Sequence, residues 1–129
     1  MQYALLIYSS VEARAEAEAN AAVHGEDDGV IEDWVEYTRA VKSAGALVAL
    51  LQLQPTETAT AVRLRGGERL LTDGPYIETK EHLLGFYLIE APDLDTALDW
   101  AARMPHVRHG TTEVRPVQPT PRLDRIVSA

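Results

Sequence analysis

A cluster of acidic, basic and imidazole side chains stands around one tight turn in this sequence, Asp73-Gly74-Pro75-Tyr76, followed at once by Glu78, Lys80, Glu81 and His82. Carboxylate, ammonium and imidazole groups this close in sequence can pass a proton or orient a polar ligand, provided a rigid scaffold turns them towards a common cleft. The candidate acid–base set is therefore Asp73, Glu78, Lys80 and His82. The same residues have a structural use: an Asp side chain can bond nearby backbone N–H groups, while Gly and Pro set the dihedrals of a sharp turn. Both readings stay open at the level of sequence. Glu78, Glu81 and His82 lack the paired-His spacing of a known zinc motif, and the chain contains no cysteine, so no metal or cofactor is expected.

Three further histidines carry weaker signals. His24 lies in an acidic segment, and His106 and His109 flank Val107-Arg108 in a stretch that reads as a surface loop. Trp34 and Trp100 fall on the apolar faces of two helical patterns, where burial against a sheet is the default. Trp34 also suits one wall of a small aromatic-substrate pocket, and Tyr3, Tyr76, Phe86 and Tyr87 are the candidate residues to complete it.

These groups need a scaffold, and the composition allows one domain. The chain has 129 residues, 46% of them hydrophobic, which suits a single core. Its net charge of −8 opposes binding to a phosphate backbone, so nucleic acid is not expected as a partner. Arg63, Arg65 and Arg69 read as a solvated strand face. No apolar run approaches the roughly 20 residues of a membrane-crossing helix. The N-terminus lacks the basic head and cleavage site of a secretory signal, so a soluble cytoplasmic protein is expected.

Residues 2–9 read as a central strand, with an unbroken apolar core. Residues 11–23 are rich in Ala and Glu and predict a weakly docked helix. Residues 30–44 repeat apolar side chains at three- and four-residue spacing, with Asp28 or Gly29 as the expected N-cap and Gly45 as the stop. Strands follow at 46–53, 59–64, 68–72 and 85–91, and Arg65-Gly66-Gly67 marks a hairpin. Asp93 is placed to cap a second amphipathic helix that ends near Pro105, and residues 111–117 give a last strand. Two helices over a mixed sheet, one face of which needs covering, predict an α+β ferredoxin-like βαββαβ sandwich with an extra hairpin that pairs into a homodimer. The domain is expected to span residues 1–118, with 119–129 as a C-terminal tail.

Thr72-Asp73-Gly74-Pro75-Tyr76, Glu78-Thr79-Lys80-Glu81, Gly85-Phe86-Tyr87-Leu88-Ile89-Glu90-Ala91 and Asp93-Leu94-Asp95-Thr96-Ala97-Leu98 together resemble the YCII-related family, in its DGPF-domain branch. Residues 1–8, 59–63 and Glu113-Val114-Arg115-Pro116 extend the resemblance over nearly the whole chain to Val117. It implies a ferredoxin-like domain pairing face to face as a dimeric α+β barrel. Some members of the family look like small-molecule enzymes, a chlorinated-hydroquinone dehydrochlorinase among them. Others stand beside extracytoplasmic-function sigma factors, which implies a regulatory role. The enzyme-like branch is associated with a His on the first helix and an Asp before a Pro after the second. By position these fall on Trp34 and Met104, neither of which can carry a proton, and Tyr76 replaces the Phe of the namesake motif. The resulting expectation is a small organic ligand in a barrel cleft, with cofactor-free elimination, isomerisation or hydration. The alternative is a non-catalytic domain in a sigma-factor system.

Overall fold

In the computed structural model, which describes residues 1–10, 27–77 and 79–129, six strands and three helices follow one another along the chain. The strands are β1 (Gln2–Ser10), β2 (Leu47–Gln52), β3 (Thr60–Arg65), β4 (Glu68–Asp73), β5 (Glu81–Glu90) and β6 (Thr111–Pro116). The helices are α1 (Asp27–Ser43), α2 (Leu94–Ala102) and α3 (Pro121–Ser128). The weak helix expected at 11–23 lies outside the described residues.

β1 occupies the middle of the main sheet because its side chains are apolar on both sides. The sheet order is β2-β5-β1-β6, and every neighbouring pair is antiparallel rather than mixed as the sequence suggested. β1 and β2 do not touch each other; β5 runs between them. This is the ferredoxin-like arrangement, with β3 and β4 inserted ahead of β5 as a separate two-stranded sheet. Arg65-Gly66-Gly67-Glu68 turns that hairpin, and the two glycines take φ of 57° and 82°, which side chains with a Cβ rarely adopt.

Alternation along β1 and β5 separates two faces. Tyr3, Leu5, Ile7, Tyr87 and Ile89 point into a core completed by Tyr37 and Val41 of α1, Ala97 and Ala101 of α2, and Met104. Ala4, Leu6, Phe86 and Leu88 lie on the opposite face and are only half-buried. α1 ends where Gly45 reverses the chain: Ala46 N–H reaches Val41 O at 3.1 Å and Gly45 N–H reaches Lys42 O at 3.0 Å, a Schellman cap. At its other end α1 already includes Asp28 and Gly29, so neither is the N-cap expected. For α2 the expected cap is present, with Asp93 Oδ1 accepting from Thr96 N–H at 2.8 Å. The segment after Pro119 is helical from Pro121, and Leu123, Ile126 and Val127 are exposed along it. Among the described residues no helix is long and apolar enough to cross a membrane.

β1 and β5 slip by one residue between Ile7 and Tyr8, where Ile7 faces Gly85 but Tyr8 faces Leu83. Leu84 is the extra residue of this bulge. Beside it, β2 crosses so closely that a Cβ on Gly85 would stand 2.3 Å from Leu51 O, an atom of the backbone that cannot step aside. Gly85→Ala is therefore expected to destabilise the fold by about 2 kcal/mol or more, through forced separation of β2 from β5. Urea denaturation of the two proteins checks this, with the shift appearing in the midpoint.

Candidate functional site

α1, the inner ends of β2 and β5 and the turn after α2 enclose a cleft of about 950 Å³ on the helical face of the sheet. Trp34, Val35 and Thr38 come from α1, Leu50 and Leu51 from β2, and Leu84, Gly85 and Tyr87 from β5. Ile7 and Ser9 form part of the floor from β1, and His106 closes one wall from a short 3-10 helix, Pro105–Arg108. The bulge explains why two consecutive residues, Leu84 and Gly85, both reach the cleft.

His106 is the centre of this site, and it corrects the expectation of a surface-loop residue: only 5% of it is exposed. Its ring stacks on Trp34 at 5.6 Å between centroids and 13° between planes. His106 Nε2 lies 3.0 Å from Thr111 O and 3.1 Å from Thr112 Oγ1. A carbonyl only accepts, so Nε2 carries the hydrogen and donates to both oxygens. The Thr112 hydroxyl spends its own proton on Met104 Sδ, 3.3 Å away. The tautomer is thereby set, and the lone pair of the neutral ring sits on Nδ1. That atom is buried and has no hydrogen-bond partner among the described residues, and the same holds for Ser9 Oγ. A buried acceptor and a buried donor, both on cleft-lining residues, are costly to leave unpaired, by roughly 1–3 kcal/mol each. Burial pushes the His106 imidazole below its ordinary range, and His109 adds to this against the opposing influence of the Thr111 hydrogen bond and Glu81. At neutral pH it is an uncharged base.

The tyrosine hydroxyls around it are committed elsewhere. Thr38 Oγ1 donates to Trp34 O at 2.7 Å, which leaves it as the acceptor for the Tyr87 hydroxyl at 2.6 Å. Tyr37 donates to Trp100 O at 2.9 Å, and burial together with the neighbouring Tyr87 holds its proton far above the usual phenol range. Neither competes with His106 for a proton.

The residues singled out from sequence are distributed differently. Trp34 and Tyr87 line the cleft. Tyr3 is buried beyond it, its hydroxyl donating to Met1 Sδ at 3.6 Å, and Phe86 lies on the opposite sheet face opposite Leu6. Tyr76 is 68% exposed, with the Arg63 guanidinium 4.8 Å over its ring. Asp73 ends β4 on the separate hairpin, where Gly74 N–H closes the turn on Ala59 O at 2.7 Å, and Lys80 is exposed in the loop before β5. His82 uses both ring nitrogens as a clamp, Nδ1 to Thr56 Oγ1 at 2.9 Å and Nε2 to Thr79 O at 3.0 Å. Asp73, Lys80 and His82 are not among the cleft-lining residues. Glu78 and His24 lie outside the described residues. His109 stands exposed at the cleft mouth.

The positions where the resemblance puts a His and an Asp acquire a meaning here. Trp34 stacks on His106, and Met104 reaches the same ring through Thr112. A different imidazole, that of His106 in the turn after α2, thus stands directly against the Trp34 position of the first helix. A model of the YCII-related domain matches residues 1–121 of the chain. The protein belongs to the YCII-related family. An uncharacterized protein of Rhizobium meliloti (strain 1021) is 40% identical over 119 residues, which cover 91% of this chain and 92% of that one. Among the described residues of this YCII-related protein, no group of three or more potential metal ligands converges.

A depressed imidazole has a consequence for stability. The folded state holds His106 neutral while the unfolded state protonates it near pH 6.5, so unfolding takes up a proton between that value and the lower folded one. Stability is therefore expected to fall as pH drops through this window, and His106→Asn to flatten the dependence. Melting temperatures of both proteins across pH 4.5–8, an interval bracketing the reference imidazole value of roughly 6.5, measure the difference in slope.

Proposed function

We propose that this YCII-related protein binds a small organic molecule in the Trp34–His106 cleft and carries out cofactor-free proton transfer on it. The observation that supports this best is the unpaired His106 Nδ1, a neutral base with its tautomer locked, buried on a residue that lines a ligand-sized cleft with largely apolar walls. In such a site His106 Nδ1 takes a proton from the bound molecule and returns it at a neighbouring atom, while the Ser9 hydroxyl donates to the oxygen that gains negative charge. One base that removes and restores a single proton suits isomerisation better than elimination or hydration, which need a second group to handle the departing or entering species. The Asp73, Glu78, Lys80 and His82 set is secondary in this reading, because its described members stand outside the cleft.

Pairing with a second copy is part of the proposal. The face carrying Leu6, Phe86 and Leu88 is only half-covered, and a sheet with one apolar face open suits a dimeric barrel and the DGPF branch. A second reading, an interaction domain acting with a sigma factor, draws on the exposed Val62, Leu64, Leu70 and Leu71 of the hairpin.

Phenol is a suitable neutral probe. With Trp100→Phe as the background, Trp34 is the remaining indole, and the imidazole nitrogens of His106 are visible by NMR. Phenol is expected to change Trp34 emission saturably and to shift the Nδ1 resonance. His106→Gln is expected to weaken binding by about fivefold or more, the worth of one buried hydrogen bond. Phenol that leaves both signals unchanged would count against the cleft as a ligand site and favour the interaction reading.

A further inference from the structure

Two elements of the chain stand apart from its core. β3 and β4 form a sheet of their own, bonded to no strand of the main sheet, and α3 has no buried residue. Neither is built to stand alone: an isolated hairpin is marginal in water, and so is a helix shorter than about 12 residues. Each carries one apolar face. The hairpin register sets Thr60 opposite Asp73, Val62 opposite Leu71 and Leu64 opposite Arg69, so these six side chains share a face. Its centre is open to solvent, with Val62 and Leu64 63% exposed and Leu71 59%. The other face is partly covered from within the chain, since the Arg63 guanidinium lies 4.8 Å over the ring of Tyr76. On α3, Leu123, Ile126 and Val127 recur at three- and four-residue spacing and form an exposed stripe.

The charges bordering the two faces are complementary. On the hairpin, Asp73 stands at one end of the apolar patch and Arg69 at the other. On α3, a rotation of about 100° per residue puts Arg122 on one flank of the stripe and Asp124 on the other. All four side chains are exposed, and among the described residues none forms an ion pair; Asp124 accepts a hydrogen bond from Thr120 Oγ1 at 3.0 Å. A helix laid across the two strands, apolar stripe down, brings Arg122 towards Asp73 and Asp124 towards Arg69.

The helix of the same chain does not reach this hairpin. α3 leaves the sheet from β6, whereas the hairpin hangs from β2 and β5, and β2 and β6 are opposite edges. The two attachments are also at opposite ends: Val117 N–H is held by Gln2 O at 2.9 Å, while Glu81, where the chain returns from the hairpin, pairs with Ser10. At strand spacings the diagonal between them is about 30 Å. The four Cα steps from Val117 to Pro121 span at most about 14 Å. A neighbouring molecule has no such tether to obey.

Resting on the pairing with a second copy proposed above, we infer that α3 of each protomer docks on the β3–β4 hairpin of its partner. Leu123, Ile126 and Val127 cover Val62, Leu64 and Leu71, and the Arg122–Asp73 and Asp124–Arg69 pairs fix the orientation. Two-fold symmetry repeats the contact, so the dimer is clasped at two equivalent places. The hairpin and α3 thereby gain from the partner the support that their own chain does not give them.

The chain contains no cysteine, so introduced thiols report the contact directly. Leu71→Cys and Ile126→Cys, both at exposed positions, are made as separate full-length proteins, mixed and oxidised. The mixture is expected to give a disulfide-linked pair on a non-reducing gel, and each protein alone to stay at the mass of one chain. The double variant is expected to link between chains; a disulfide closed within one chain overturns the inference. Sedimentation gives the second readout. Asp73→Arg is expected to raise the dimer dissociation constant about tenfold, the loss of two exposed ion pairs, and D73R/R122D to restore it. A dimer that yields no mixed disulfide and ignores Asp73→Arg overturns the clasp and leaves pairing through the sheet faces standing. A monomer at every concentration overturns the pairing and the clasp together, and returns the hairpin face to a different protein.

Discussion

The antiparallel register of β1 against β5 is the constraint on which the rest of the molecule depends. Side chains alternate between faces with a period of two, so a slip of β5 by one residue against β1 would send Tyr87 and Ile89 out of the helical core and Phe86 and Leu88 into it. The helices lie where they do because this register gives them an apolar surface to cover. The one local exception, the bulge at Leu84, is also what opens the wall of the cleft, since the extra residue bends β5 away from ideal pairing beside Gly85.

From that register the environment of His106 follows. β6 pairs with β1 so that Thr111 faces Tyr8 and Thr112 faces Ile7, which brings the Thr111 carbonyl and the Thr112 hydroxyl to the imidazole. Gly110 permits the approach: a Cβ there would stand 2.4 Å from Tyr8 O and 3.1 Å from His106 Cδ2. The ring is held by hydrogen bonds on one nitrogen and by the indole of Trp34 on its face, so its second nitrogen is positioned without being occupied. Rigid placement of an unsatisfied group is the usual arrangement where a ligand supplies the missing partner. His82 shows the contrast within the same chain, with both nitrogens consumed in tying two loops together.

Much of the fold was legible in the residues. The apolar centre of β1, the three- and four-residue spacing of α1, the glycines of the hairpin, Gly45 and Asp93 each act through short-range physics, and each stands in the structure where its pattern placed it. The starts of α1 and β5 were less legible. β5 begins at Glu81, four residues before the start expected at Gly85, because Ser9 and Ser10 of β1 supply backbone partners that the polar residues Glu81 and His82 do not advertise. The candidate site was legible only at Trp34 and Tyr87, through their aromatic character.

His106 escaped because a histidine in a Pro-His-Val-Arg-His stretch after a helix looks like any surface loop. Its burial depends on contacts with residue 34 on one side and residues 111 and 112 on the other, and no local pattern announces a stack across that distance. The Asp73 turn misled for the converse reason: clustered ionisable groups are conspicuous in sequence, yet Asp73 ends a hairpin that forms its own sheet, and Lys80 and His82, before and on β5, are not among the residues that line the cleft. The sequence by itself determined the family, the order of the strands and of α1 and α2 and the two faces of the sheet, because those rest on periodicity and turn chemistry between near neighbours. Only the tertiary structure decided which histidine keeps a free lone pair, since that depends on which groups far apart in the chain desolvate it and which of its nitrogens they leave unpaired.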